Sequence, residues 1–119
     1  MWETYIGKRL KAFKYAFKGA FLLLRHEASV QVQTVIAIIM TFAGFYFEIS
    51  NTEWMLQILA IGMVIGIEGL NTAAEEIANF VHPDFHKRIA FIKDVAAGAV
   101  FFAAVSAVII GCIIYIPKL

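Results

Sequence analysis

A chain of 119 residues has room for a single domain, and 61% of its residues are apolar, against roughly 45–50% in a soluble domain. A soluble fold of this size has no core large enough to hide that surface, which excludes an ordinary water-borne globule and leaves lipid as the covering. The net charge of +1 says little as a total; where the charges fall says more.

The first 25 residues predict a surface helix rather than a span. Leu10, Phe13, Phe17, Phe21 and Leu24 recur at three- and four-residue steps and form one apolar face, while Lys8, Lys11, Lys14 and Lys18 keep a similar beat on another. With Trp2, Tyr5 and Tyr15 interleaved, a basic amphipathic helix over residues 1–27 is expected to lie in the membrane surface. The stretch is basic throughout and holds no unbroken apolar run, so it does not read as a cleavable signal peptide.

Three stretches of spanning length follow: residues 30–49, with Gln31 and Gln33 near the start, residues 54–81, and residues 95–116, closed by Pro117. About 20 residues cross a hydrocarbon core, and only helices or closed barrels satisfy their backbone groups there. No strand-like alternation is present. The expected fold is therefore all-α, three transmembrane helices plus an interfacial one, in a single domain over residues 1–119. Lys8, Arg9, Lys11, Lys14, Lys18 and Arg25 precede the first span, and Lys87, Arg88 and Lys93 lie between the second and third. The loop at 50–53 has no basic residue, and only Lys118 follows the third span. Nine of ten basic residues thus share one side, which the positive-inside rule makes cytoplasmic: amino terminus in, carboxyl terminus out. The lone Cys112 excludes an intrachain disulfide and reads as a small buried hydrophobe.

The chemistry concentrates in residues 67–80. An ionisable side chain inside a membrane helix is costly and points to function. Glu68, Asn71 and Glu75 step by three and four and share one helical face; Asn79 lies near it and Glu76 on its flank. Gly62, Gly66, Gly69 and Ala73 occupy a roughly opposite face, where small residues let another helix approach. If the hydrocarbon begins near Trp54, its cytoplasmic edge falls close to Ala74. Glu75 is then interfacial, and Glu68 lies about 10 Å deeper at a rise of about 1.5 Å per residue. Desolvated surroundings suit Glu68 to general-base work. Glu27 sits at the level of Glu75, and two carboxylates at one interface can hold Mg²⁺. His82, Asp84 and His86 do not read as a zinc site, because Pro83 breaks any helix aligning them and no cysteine is near; a solvated loop is expected. Lys93 and Asp94, at the start of the third span, read as an interfacial anchor pair or as a phosphate-binding lysine and its neighbour. Neither common glycine-rich phosphate loop is present.

Glu68-Gly-Leu-Asn71-Thr-Ala-Ala-Glu75, then Asp84-Phe-His86 and Lys93-Asp94-Val-Ala-Ala-Gly98-Ala-Val, resembles the small prokaryotic diacylglycerol kinase family, which includes the undecaprenol kinases. The likeness covers essentially the whole chain. It implies ATP-dependent phosphorylation of a lipid hydroxyl, diacylglycerol or undecaprenol, by a homotrimer of the bacterial cytoplasmic membrane whose neighbouring subunits share sites. No nucleic-acid partner is implied. By the resemblance Glu68 is the general base, Glu27 and Glu75 hold Mg²⁺ and through it the nucleotide, Asn71 is a positioning group, and Lys93 and Asp94 contact ATP. Phosphoryl transfer needs mainly positioning and charge neutralisation, which such a set supplies. Asn79 stands where the family commonly carries an aspartate, and residues 30–33 lack an arginine often found there. Two other classes compete. A small transporter would use Glu68 and Glu75 as a proton relay, but Gln57 alone is polar in the outer half of the second span. An assembly protein would use Gly62, Gly66 and Gly69, and leaves Glu68 unexplained.

Overall fold

The computed structural model describes residues 2–119, with side chains from Thr4 onward, so the expected anchoring role of Trp2 lies outside the described side chains. Four α-helices follow one another: α1 (Trp2–His26), α2 (Ala28–Tyr46), α3 (Asn51–Val81) and α4 (Lys87–Tyr115), with a closing 3-10 turn at Ile116–Lys118 that carries Pro117. The last three are long and apolar enough to cross a membrane, as expected. Three hydroxyls within them are satisfied by their own helices: Thr34, Thr41 and Ser106 donate to the carbonyls of Val30, Ala37 and Phe102.

The helix ends differ from the sequence expectation, for local reasons. Residues 50–53 do not form a loop. Ser50 caps α3 by accepting from the Glu53 backbone N–H, the Glu53 carboxylate returns the bond to the Ser50 N–H, and this capping box starts the helix at Asn51 instead of Trp54. The first span stops at Tyr46, not at 49. Glu48 adopts φ 51°, its N–H donates to the Phe45 carbonyl, and that of Ile49 donates to Gly44, a left-handed cap filled by a glutamate. The third span, α4, begins at Lys87 rather than at residue 95, because the His86 imidazole accepts from the Arg88 N–H and caps it there. Lys93 and Asp94 are consequently inside a helix.

α3 is the central element, packed most extensively on α4 and less on α2. α1 joins α2, and its Leu23 covers Gly69 of α3, where a Cβ would lie 2.9 Å from the leucine. The principal extents are 49 × 48 × 22 Å. α3 alone is about 46 Å long, so the second long dimension is reached by α1 running away from the three spans. Leu10, Phe13 and Phe17 on α1 are all exposed, leaving the apolar face for lipid. The accessible surface is 9357 Å², whereas a soluble globule of 13.3 kDa exposes roughly 6,500 Å².

The few buried residues gather at two levels. At the end of the bundle away from α1, Ile49, Ile114 and Tyr115 pack with Met40, Phe47 and Trp54. Here the Tyr115 hydroxyl donates to Gln57 Oε1 at 2.6 Å, Gln57 Nε2 donates to the Met40 carbonyl at 3.0 Å, and Lys118 pairs with Glu53 at 2.9 Å. Glycine at 44 is required: a Cβ there would lie 2.5 Å from the Trp54 ring. Gly62 and Gly66, expected to admit a close helix, have nothing within 4 Å of a built Cβ, so no helix among the described residues packs on these two; Gly69 on the same face is met by Leu23 of α1. Cys112, expected to be buried, is exposed on α4, since that side of the helix meets no other.

Candidate active site

The second buried level holds Glu68, only 8% exposed. Its burial comes from α2, which covers the deep end of the polar face of α3. Glu68, Asn71, Glu75 and Asn79 form a stripe over 12 residues of α3, about 16 Å of rise, on the side turned away from the bare glycines. α2 reaches the stripe at its deep end, where Gln33 Nε2 donates to Glu68 Oε2 at 3.5 Å, the long limit of a hydrogen bond. The helix itself takes part, Thr72 donating to the Glu68 carbonyl. One turn on, Asn71 Nδ2 donates to Glu75 Oε1 at 3.2 Å. α4 reaches the shallow end, with Lys93 Nζ donating to Asn79 Oδ1 at 2.6 Å.

The Gln33 contact sets the height of the remaining carboxylates. α2 and α3 run antiparallel through a short turn, so residues before Gln33 sit beside residues after Glu68. Glu27 is six residues before the one and Glu75 seven after the other; both therefore lie about 9–10 Å from the buried level toward the same end. Glu27 is half-buried at the N-cap of α2, where its side chain makes no capping bond. Glu75, Asp94 and Glu76 are exposed. Of the residues singled out in the sequence, Glu68, Asn71, Glu75 and Lys93 thus join one polar track, and Glu27 stands level with its middle. Asp94 lies beside Lys93 in sequence, and its side chain enters no hydrogen bond among the described residues. His82 and His86 stack edge to face at 5.3 Å in the loop between α3 and α4, and no metal-binding cluster of three or more His, Cys, Asp or Glu exists among the described residues.

Gln33 escaped the functional reading of the sequence. The available signal was a glutamine inside a lipid-facing run, a placement that needs a partner. Two buried side-chain oxygens have no hydrogen-bond partner among the described residues, and both border this site: Gln33 Oε1 and Asn71 Oδ1.

The middle of the track carries oxygen donors of the kind that Mg²⁺ takes. This ion is commonly held by one or two carboxylates and completes its shell with water and substrate phosphates. Glu27 and Glu75 are two carboxylates at one height, and the unpartnered Asn71 Oδ1 beside Glu75 offers another hard oxygen. Lys93 provides a flexible cation about 6 Å farther along α3, at the level of Asn79.

Known proteins resemble this chain along most of its length. The family described as Prokaryotic diacylglycerol kinase matches residues 14–115. An undecaprenol kinase of Bacillus subtilis is 36% identical over 114 residues, covering 96% of this chain and 93% of the relative. A diacylglycerol kinase of Synechocystis is 29% identical over 92% of the chain and 63% of its own length, and one of Escherichia coli is 26% identical over 88% and 86%. The match spans α1 from Lys14 through the end of α4, including every residue of the polar track, and the chain belongs to the prokaryotic diacylglycerol kinase family of membrane lipid kinases.

Proposed function

We propose that this kinase transfers the γ-phosphate of ATP, with Mg²⁺, to the hydroxyl of a membrane alcohol at the cytoplasmic interface, and that undecaprenol is preferred over diacylglycerol. The observation that carries the reading is the polar track itself, along one face of α3: a buried carboxylate, Glu68, at one end and Asn79 at the other, where Lys93 of α4 donates to it. A lipid hydroxyl approaches such a track from the hydrocarbon side and a nucleotide from the aqueous side. The preference for undecaprenol is supported by the higher identity of the undecaprenol kinase over nearly the full length of both chains.

In this reading Glu68 takes the proton of the attacking hydroxyl, and its burial keeps bulk water from competing for phosphate. Asn71 holds Glu75 through one carboxylate oxygen and leaves the other for metal. Bound Mg²⁺, held by Glu27 and Glu75, would neutralise phosphate charge. Lys93 leaves Asn79, a neutral partner with no ion pair to break, and turns to the phosphates. Asp94 contacts the nucleotide beside it. The bare face at Gly62 and Gly66 is taken by neighbouring copies in a homotrimer whose subunits share sites. The positive-inside distribution supports a cytoplasmic amino terminus, and the exception, Lys118, has its charge countered by Glu53.

The test is Mg·ATP-dependent transfer of labelled phosphate to undecaprenol and to diacylglycerol, side by side in mixed micelles. Transfer to undecaprenol at the higher kcat/KM is expected. A higher value for diacylglycerol overturns the preference, and transfer to neither lipid overturns the reading.

A further inference from the structure

Gln33 sits in α2 at hydrocarbon depth, half-buried, and touches the site through one atom. Its Nε2 faces Glu68 Oε2, while its Oε1 is buried with no partner among the described residues. Its carbon skeleton lines an apolar cleft of about 360 Å³ between α2, α3 and α4, walled by Ile36, Ile61, Val64 and Ala104 among others. A buried acceptor without a donor opposes folding, and lipid offers it nothing. For stability alone, an apolar side chain of the same length would suit this cleft better. The amide is therefore better explained by what its other end does.

We propose that Gln33 is a positioning residue for the general base: its N–H donor holds one oxygen of Glu68, which aims the other at the lipid hydroxyl arriving from the hydrocarbon. This rests on the assignment of Glu68 above. A carboxylate on a membrane helix turns freely about its terminal bonds unless a neighbouring helix fixes it, and Gln33 is the side chain of α2 that reaches it. The amide suits the task because it is neutral. It donates to a carboxylate without forming the ion pair that a lysine or arginine would make, so the base keeps its freedom to accept a proton.

The deciding variant is Gln33→Met, which keeps length and shape and removes both polar ends. A structural role and a positioning role diverge here. If Gln33 positions the base, kcat falls tenfold or more, KM for lipid and for ATP stays within twofold, and the melting temperature in detergent is unchanged or raised. Gln33→Asn, which keeps the amide but draws it back from Glu68, falls between wild type and Gln33→Met in kcat. A Gln33→Met protein with kcat within twofold of wild type overturns the proposal. So does a variant that fails to assemble, or one whose melting temperature falls along with its kcat, since either assigns Gln33 to the fold. Turnover by the wild-type protein in the same assay separates the two layers: without it the assignment of Glu68 fails first, and with it only the role of Gln33 is at stake.

Discussion

Replacing Tyr115 by phenylalanine tests how the end of the bundle away from the active site is held together. The hydroxyl lies 2.6 Å from Gln57 Oε1, with the Met40 carbonyl at 3.3 Å as a second acceptor, and both Tyr115 and Gln57 are less than a tenth exposed. Removing the hydroxyl leaves Gln57 Oε1 buried without a donor, a loss of about 1–3 kcal/mol in soluble proteins. Hydrogen bonds between membrane helices average about 0.6 and reach about 1.7 kcal/mol, so about 1–1.5 kcal/mol is expected here. At roughly 4 °C per kcal/mol for a chain of this size, Tyr115→Phe melts about 4–6 °C below wild type in detergent. Gln57→Leu removes the stranded acceptor, so in the double variant the two losses do not add. Turnover stays unchanged, because Gln57 lies eleven residues, about 16 Å along α3, from Glu68. Equal melting of Tyr115→Phe and wild type, or strict additivity in the cycle, would refute this account of the outer end.

Glu68→Gln keeps shape and burial but cannot take a proton; phosphate transfer should fall by about 10²–10⁴-fold with the assembled protein intact, and retained turnover contradicts the role. Gly66→Leu meets open space within the chain, so folding survives while the sedimentation mass in detergent drops; an unchanged mass means that no copy packs on that face. Lys93→Met should raise KM for ATP about tenfold, the loss of one charge-assisted contact, with KM for lipid unaltered, and an unaltered KM for ATP removes Lys93 from the nucleotide.

The architecture was largely legible because lipid imposes a simple rule on composition. Runs of apolar residues must be helices, and Glu68, Asn71 and Glu75 at three- and four-residue steps must share a face. Helix ends were less legible, since they depend on single bonds rather than on a pattern. The capping box of Ser50 and Glu53, the left-handed Glu48 and the imidazole cap of His86 each moved a boundary by three to eight residues. In the site, what lay on one helix could be read from spacing, but what one helix offers another could not. Gln33 with Glu68 and Lys93 with Asn79 are separated by 35 and 14 residues, and no periodicity links them. The same limit applied to Cys112 and Gly66, where an apolar surroundings gave no sign of which side meets lipid and which meets protein.

The turn between α2 and α3 has an electrical consequence. It carries Glu48, with Glu53 in the first turn of α3 just beyond it and no cation between them, and Glu48 is kept in a left-handed conformation that glycine would adopt more easily. In the proposed orientation these side chains cross the bilayer as the hairpin inserts. Across a membrane held negative inside, each carboxylate moved outward gains about 2.3 kcal/mol per 100 mV, and Lys118, moved the same way, loses as much. Their pairing at 2.9 Å lets Glu53 carry a counter-charge to the place where the lysine must arrive. Membrane voltage therefore favours the first hairpin and opposes the last few residues, so in a depolarised membrane the advantage of the hairpin weakens while the carboxyl terminus crosses more readily.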